Sequence, residues 1–147
     1  LQIQGSGRIE TDSGDVLFSW SGSLEVVIWQ YGKGALNQHL FKVSSEIYPK
    51  WFYYHWVLHH LKEFKGIASS KATTMGHIKR KHLDLAEVII PDKETFKKLN
   101  ILFSPILEKI ENNQNLIQSL TKTRDTLLPK LMSGQVRVNN LKQTADA

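Results

Sequence analysis

Two histidines have a spacing that could support metal chemistry. His55 and His59 stand four residues apart, which places two imidazoles on one face of a helix, as in many zinc sites. A metalloprotease helix also needs a glutamate directly after the first histidine, and Trp56 occupies that position. An amphipathic helix with partly exposed histidines accounts for the same pattern. We therefore predict no metal site here.

Other catalytic signatures are weak or missing in the sequence. Residues 5–7 (G-S-G) resemble the start of a dinucleotide fingerprint, but Glu10 occupies the third glycine position. Pro91-Asp92 is not followed by the spaced acid and lysine that would hold metal ions for phosphodiester cleavage. The sequence contains no cysteine, which excludes a disulfide scaffold and a thiolate nucleophile. The prediction is a protein that is not an enzyme and uses no cofactor.

Three polar segments have the chemistry of a DNA-binding surface. The first surrounds a tight turn, where short hydroxyls and backbone amides can reach phosphates. The second combines two amides, which can pair with adenine, and an imidazole. The third is a loop of small hydrogen-bond donors followed by cations. The candidate DNA-binding residues are Ser19, Trp20, Ser21, Ser23, Asn37, Gln38, His39, Lys71, Thr73, Thr74, His77, Lys79, Arg80 and Lys81. Taken singly, each segment is better explained as an ordinary polar turn than as a DNA contact.

The distribution of charge favours an anionic partner. The 147-residue chain has a net charge of +5, and residues 65–82 contain five Lys or Arg, two His and no acid. Such a local excess is typical of nucleic-acid binding, although a solvated basic loop would look the same. We find no membrane-spanning run and no signal peptide in this sequence. The chain begins at Leu1, which suggests a fragment or the C-terminal half of a longer protein.

The predicted strands and helices that must position these residues indicate a mixed α+β domain. Strands are expected over residues 15–20, 24–29 and 39–43, with a turn at 21–23. A helix is expected after Pro49, over residues 51–64, and Gly66 should end it. We expect a loop over residues 67–76, a short helical turn over 77–83 and a buried strand over 86–90.

A long amphipathic helix is predicted over residues 93–133. Its seam positions follow alternating steps of four and three, and eight of the ten are large and apolar: Leu99, Phe103, Ile106, Ile110, Asn113, Ile117, Leu120, Arg124, Leu127 and Leu131. At 1.5 Å per residue the helix would be roughly 60 Å long, too long for a small core to cover. We interpret it as a spacer that pairs with another helix, with Asn113 and Arg124 setting the register. The expected domains are residues 1–92, 93–134 and a tail at 135–147.

Four ordered segments resemble the specificity subunits of type I restriction–modification systems. Residues 14–23 (G-D-V-L-F-S-W-S-G-S) are similar to the family's G-D-[IV]-L-F-S-x-S-G-S element, and residues 36–43 (L-N-Q-H-L-F-K-V) to its N-Q-H-L-F strand. Residues 72–78 (A-T-T-M-G-H-I), with Leu83 and I-I-P at 89–91, resemble the segment that leads out of the recognition domain. The most specific match is residues 120–134, which include R-D-T-L-L-P-K-L and the closing S-G.

The resemblance implies a target-recognition domain attached to a conserved helix. In the family, two such units lie head to tail, their helices form an antiparallel coiled coil, and each domain reads half of a bipartite double-stranded DNA site. Modification (methyltransferase) and restriction subunits carry the chemistry. For this chain the resemblance implies a non-catalytic, cytoplasmic specificity module. It would pair through the long helix with a second half-subunit or as a homodimer.

The chain departs from the family pattern in two places. Family domains usually carry more residues before the G-D-[IV]-L-F element, so we expect the recognition domain to be truncated on its N-terminal side. Leu24-Glu25 follows the first turn, where family members often continue with glycine, so Glu25 is either a reader of a cytosine amine or a surface residue. An alternative from another functional class also stays open: a protein–protein interaction module with a coiled-coil docking helix and no direct DNA contact.

Overall fold

The computed structural model describes residues 2–4, 10–70 and 78–137. Six short strands precede three helices: β1 (Gln2–Gln4), β2 (Glu10–Thr11), β3 (Val16–Ser19), β4 (Val26–Ile28), β5 (Gly34–Ala35), β6 (Leu40–Ser44), α1 (Lys50–Ser70), α2 (Arg80–Asp84) and α3 (Lys93–Met132). The predicted α+β class is confirmed, as are the strands corresponding to β3, β4 and β6. The long helix is confirmed to within one residue, and it is continuous through Pro105 and Pro129.

The main sheet is antiparallel, with the strand order β1-β6-β3-β4. The central strand β3 pairs with β4 through Val16↔Ile28 and with β6 through Ser19↔Leu40. The turn that joins β3 to β4 contains Gly22 at φ +71°, a left-handed conformation that glycine adopts without strain. A second, two-stranded ribbon of β2 and β5 was not predicted, since its strands are only two residues long.

Helix α1 covers the sheet and completes the main core. Val16 and Phe18 of β3 are almost fully buried, and the ring of Phe64 on α1 lies 6.1 Å from that of Phe18. Ala68, one turn further along α1, is buried in the same cluster. This packing explains why the helix continues to Ser70 instead of ending at Gly66, as the sequence had suggested: burial of an apolar face outweighs the modest helix cost of one glycine.

The predicted buried strand at residues 86–90 is wrong. These residues have no regular secondary structure, and Val88, Ile89 and Ile90 are exposed. The segment is held to α1 through the backbone oxygen of Glu87, which lies 2.9 Å from Nε2 of His60. A mostly apolar run (A-E-V-I-I) therefore forms an exposed connector in this chain, and its sequence pattern alone does not distinguish such a connector from a buried strand.

A second apolar cluster joins the start of α3 to the start of α1. Asp92 caps α3 by accepting hydrogen bonds from the N–H groups of Glu94 and Thr95 at 3.1 and 3.0 Å. Leu107 is the buried residue of α3, and it packs in a cluster with Trp51 and Phe52 of α1. The chain divides into two compact units, Leu1–Glu111 and Asn112–Ala147. Among the described residues, no helix is both long and apolar enough to cross a membrane.

Candidate nucleic-acid interface

Trp20, at the end of β3, is the centre of the candidate DNA-binding surface. Its backbone N–H donates to the carbonyl of His39 at 3.2 Å, and its own carbonyl accepts from the N–H of Ile78 at 3.1 Å. Its indole stacks on Phe41 at 5.8 Å, and its Nε1–H donates to the carbonyl of Gln38 at 3.3 Å. One residue therefore links the β3–β4 turn, the turn before β6 and the segment entering α2.

The turn at residues 37–39 presents its side chains to solvent. Asn37, Gln38 and His39 are all exposed. Asn37 shapes the turn, since its Oδ1 accepts from the N–H of His39 at 2.9 Å and its carbonyl from the N–H of Leu40 at 2.9 Å. The imidazole of His39 lies 5.7 Å from the Trp20 indole, and its Nε2 is 3.4 Å from Nε2 of Gln38. Asn37 Oδ1 is engaged by the backbone of the turn, whereas the exposed Gln38 amide contacts a side chain, so Gln38 is better placed for base reading than Asn37.

The serine residues around the β3–β4 turn differ in role: one hydroxyl stabilises the turn, and another serine is exposed to solvent. The Ser19 hydroxyl donates to the carbonyl of Ser21 at 3.1 Å, so it stabilises the turn. Ser23 is exposed. Glu25 is exposed as well, and its carboxylate forms an ion pair with Lys65 at 2.9 Å. Lys65 thereby reduces the repulsion that an acid at this end of the sheet would exert on phosphates.

The cations before and within α2 begin directly after the Trp20 contact. Lys79 and Lys81 are exposed, and the backbone of Arg80 begins the helix. The N–H of Lys79 donates to Nδ1 of His82 at 3.0 Å, which fixes the entry into α2. Lys71, Thr73, Thr74 and His77 lie outside the described residues. The structure thus brings together the first two predicted segments and the C-terminal part of the third.

Two residues of this surface were missed by the sequence reasoning. The ring of Phe41 stacks against the Trp20 indole. Ile78 is buried, and its N–H donates to the Trp20 carbonyl, which connects the basic segment to the end of β3. The alternation of Phe41 with Val43 on β6 was a usable signal for the first. No local signal pointed to Ile78, because its partner lies 58 residues away in the chain and only the tertiary fold brings the two together.

The charged residues at the opposite end of β3 stabilise the fold. Asp15 forms an ion pair with Lys42 at 2.7 Å. Burial alone would raise the pKa of Asp15, but hydrogen bonds from Lys42, the Asp12 backbone and Thr11 hold that pKa below its ordinary value. Burial, and then the charges of Asp15 and Glu111, raise the pKa of Tyr53. This end of the sheet is therefore a network of satisfied charges.

The two histidines with metal-binding spacing, His55 and His59, make local contacts within α1. Nδ1 of His55 lies 2.7 Å from the carbonyl of Trp51, and the His59 ring contacts that of Trp56. Within the described parts of the chain, no group of three or more His, Cys, Asp or Glu could hold a metal ion.

Within the chain, the first seam residues of α3 pack on α1, whereas the later ones are exposed. Leu99 is half-buried, and Phe103 stacks on Trp51 at 5.1 Å. The other apolar seam residues are 38–62% exposed: Ile106, Ile110, Ile117, Leu120, Leu127 and Leu131. Asn113 and Arg124 are exposed too, and Arg124 pairs with Asp125 at 2.8 Å. Pairing of this seam with another helix stays a prediction.

The chain combines a small antiparallel domain that has a polar loop surface with a 40-residue amphipathic helix. The chain belongs to the type I restriction modification DNA specificity domain family, whose sequence profile matches residues 5–122. This confirms the predicted family and favours DNA recognition over the alternative of a docking module.

A curated relative supports the same assignment. The chain is 35% identical over 103 residues to the type I restriction enzyme MjaIX specificity subunit of Methanocaldococcus jannaschii. The alignment covers 70% of this chain and 24% of that subunit, so the chain matches about a quarter of its relative. No solved structure matches the chain.

Proposed function

We propose that this chain reads one half of a bipartite double-stranded DNA site and itself catalyses no reaction. The observation that carries the proposal is the convergence on Trp20 of the turn at residues 37–39 and the segment that leads into the cations of α2. Base-reading amides and phosphate-binding cations thereby share one end of the sheet. Phosphate contacts would hold the surface on the duplex, and base contacts would select the sequence.

Separate modification and restriction subunits would supply methylation and cleavage, and the complex would act in the cytoplasm. The similarity to a specificity subunit of a type I restriction enzyme supports this division of labour. Residues 1–92 would form the recognition domain, residues 93–134 the spacer helix and residues 135–147 a tail. The spacer would form an antiparallel coiled coil with a second half-subunit or a second copy, because its apolar seam is exposed within the chain.

In vitro selection from random duplex DNA tests the proposal, and two variants separate its two kinds of contact. Gln38→Ala should relax the preference at one or two positions of the enriched motif, with a loss of about 1–3 kcal/mol for the preferred base. Lys81→Ala should weaken binding to all sequences alike and reduce the salt dependence. Failure of the wild-type chain to enrich any sequence would contradict the proposal.

A further inference from the structure

The first turns of α3 dock on α1 through polar contacts that define one rotational position of the helix. Nζ of Lys50 lies 3.0 Å from both carboxylate oxygens of Glu111. Nε1 of Trp51 donates to Oδ1 of Asn100 at 2.8 Å, and the hydroxyl of Ser104 donates to the same oxygen at 2.8 Å. We call these the docking contacts.

The Lys50–Glu111 ion pair among the docking contacts is partly shielded from solvent. The Glu111 side chain is only 17% exposed and that of Lys50 32%. Gly14, in the turn before β3, approaches the pair so closely that a Cβ there would lie 3.1 Å from Nζ of Lys50. The ion pair therefore ties α3 to α1 beside the turn that leads into β3. Together with the Trp51–Asn100 hydrogen bond it gives α3 two separate polar attachments to α1, which oppose its rotation.

The docked face and the apolar seam lie side by side on α3. Phe96, Asn100, Leu107 and Glu111 recur at helical spacing and contact α1 and its neighbouring residues. The exposed seam residues Ile106 and Ile110 lie about 80° further around the helix, at about 100° per residue. Fixing the docked face thus fixes the direction in which Ile106 and Ile110 point relative to the candidate DNA-binding surface around Trp20.

We propose that Lys50 and Glu111 are positioning residues that set the gap between the two DNA half-sites. The inference rests on the proposed function and on pairing of the seam. When two copies pair, the rotation of each α3 on its own domain decides where the second reading surface meets the DNA. One base pair corresponds to about 34° around the duplex, since B-DNA has about 10–10.5 base pairs per turn. A loosened docking contact would therefore admit gaps that the wild-type chain rejects.

The test measures gap preference directly. In vitro selection with the wild-type chain defines the bipartite site, and a ladder of duplexes then varies its gap by one and two base pairs. The wild type should prefer its own gap by about tenfold, because other gaps require deformation of the DNA. Glu111→Gln and Lys50→Met, which remove the ion pair from either side, should each reduce that preference to about threefold or less.

Glu94→Gln is the matched control. It removes the same charge from the same helix, but Glu94 pairs only with Lys98 on a face where both side chains are at least 74% exposed. The control should retain the wild-type gap preference. A duplex with one half-site is the second control, and its affinity should be equal for all four proteins.

Each outcome decides the inference. Unchanged gap preference in Glu111→Gln and Lys50→Met would overturn it. Loss of half-site affinity in both variants would also overturn it, because the pair would then support the recognition domain itself. Absence of any enriched sequence with the wild type would refute the proposed function. Enrichment of a single half-site without a gap would refute pairing, and the positioning role with it.

Discussion

Replacement of Trp20 by phenylalanine should lower the affinity for DNA as well as the stability of the fold. The variant keeps an aromatic ring over Phe41 but loses the Nε1–H bond to the carbonyl of Gln38, which measures 3.3 Å. One neutral hydrogen bond contributes about 1 kcal/mol to folding stability. Since that bond holds the turn at residues 37–39, the affinity for DNA should fall about fivefold, equivalent to about 1 kcal/mol.

Trp29→Phe provides the matched control at the other end of the β3–β4 hairpin. The Trp29 indole donates to the carbonyl of Gly32 at 2.6 Å and contacts Tyr31 at 4.9 Å, so the lost interactions are of the same kind. Trp29 pairs with Asp15 across the hairpin. Asp15 precedes Trp20 by five residues, which is about 16 Å along an extended strand. The control should lose about the same stability and bind DNA as the wild type does.

Urea unfolding and fluorescence-anisotropy titration with a selected duplex, both at the same salt concentration, measure the two effects. Trp20→Ala extends the series, since loss of the aromatic contact should cost about 0.5–1.5 kcal/mol more in stability, in addition to the lost burial of the ring. Equal DNA affinity for Trp20→Phe and the wild type would refute the reasoning. A loss of affinity in Trp29→Phe as large as that in Trp20→Phe would refute it as well.

Three further predictions concern the fold and the helix pair. Because the pKa of Asp15 is lowered on folding, its stabilising effect is present above its unfolded pKa and is lost as the pH falls below about 4. Asp15→Asn should therefore lower the urea midpoint at pH 7 and flatten its decline in acid. Gly14→Ala should destabilise the fold by more than the roughly 1–2 kcal/mol expected for a left-handed residue, because its Cβ would also crowd an ammonium group at 3.1 Å. Urea unfolding of Gly22→Ala, where no described atom lies within 4 Å of the new Cβ, isolates the backbone cost. Ile117→Asp with Leu120→Asp should convert a dimer into a monomer in light scattering, and a wild-type chain that is monomeric at high concentration would contradict seam pairing.

The sequence was sufficient for those elements whose pattern is local. The apolar positions of α3 have a strict spacing over more than thirty residues, and the β3–β4 hairpin has apolar strands around a Ser-Gly-Ser turn, so the helix and the hairpin were both predicted correctly. The extension of α1 past Gly66 was not visible, because it depends on burial of Ala68 against the sheet. The connector at residues 86–90 was misjudged for the same reason, since the same apolar run fits a buried strand or an exposed segment.

The candidate surface was predictable in composition but not in assembly. Residue type nominated Trp20, Gln38 and the cations near Lys81. Their meeting at one end of the sheet depends on the register of β3 against β6 and on the Trp20–Ile78 backbone bond, which no local pattern specifies. The docking contacts were missed outright, because Lys50 and Glu111 lie 61 residues apart and each reads as an ordinary charged surface residue.

The most direct test of DNA recognition by this surface is the salt dependence of binding after the cations of α2 are removed. Lys79→Ala, Arg80→Ala and Lys81→Ala together remove up to three phosphate contacts, so the slope of log affinity against log salt should become shallower by about 2.7. The solution mass should stay unchanged, because the seam lies elsewhere in the chain. A slope equal to that of the wild type would contradict the assignment of this surface to DNA.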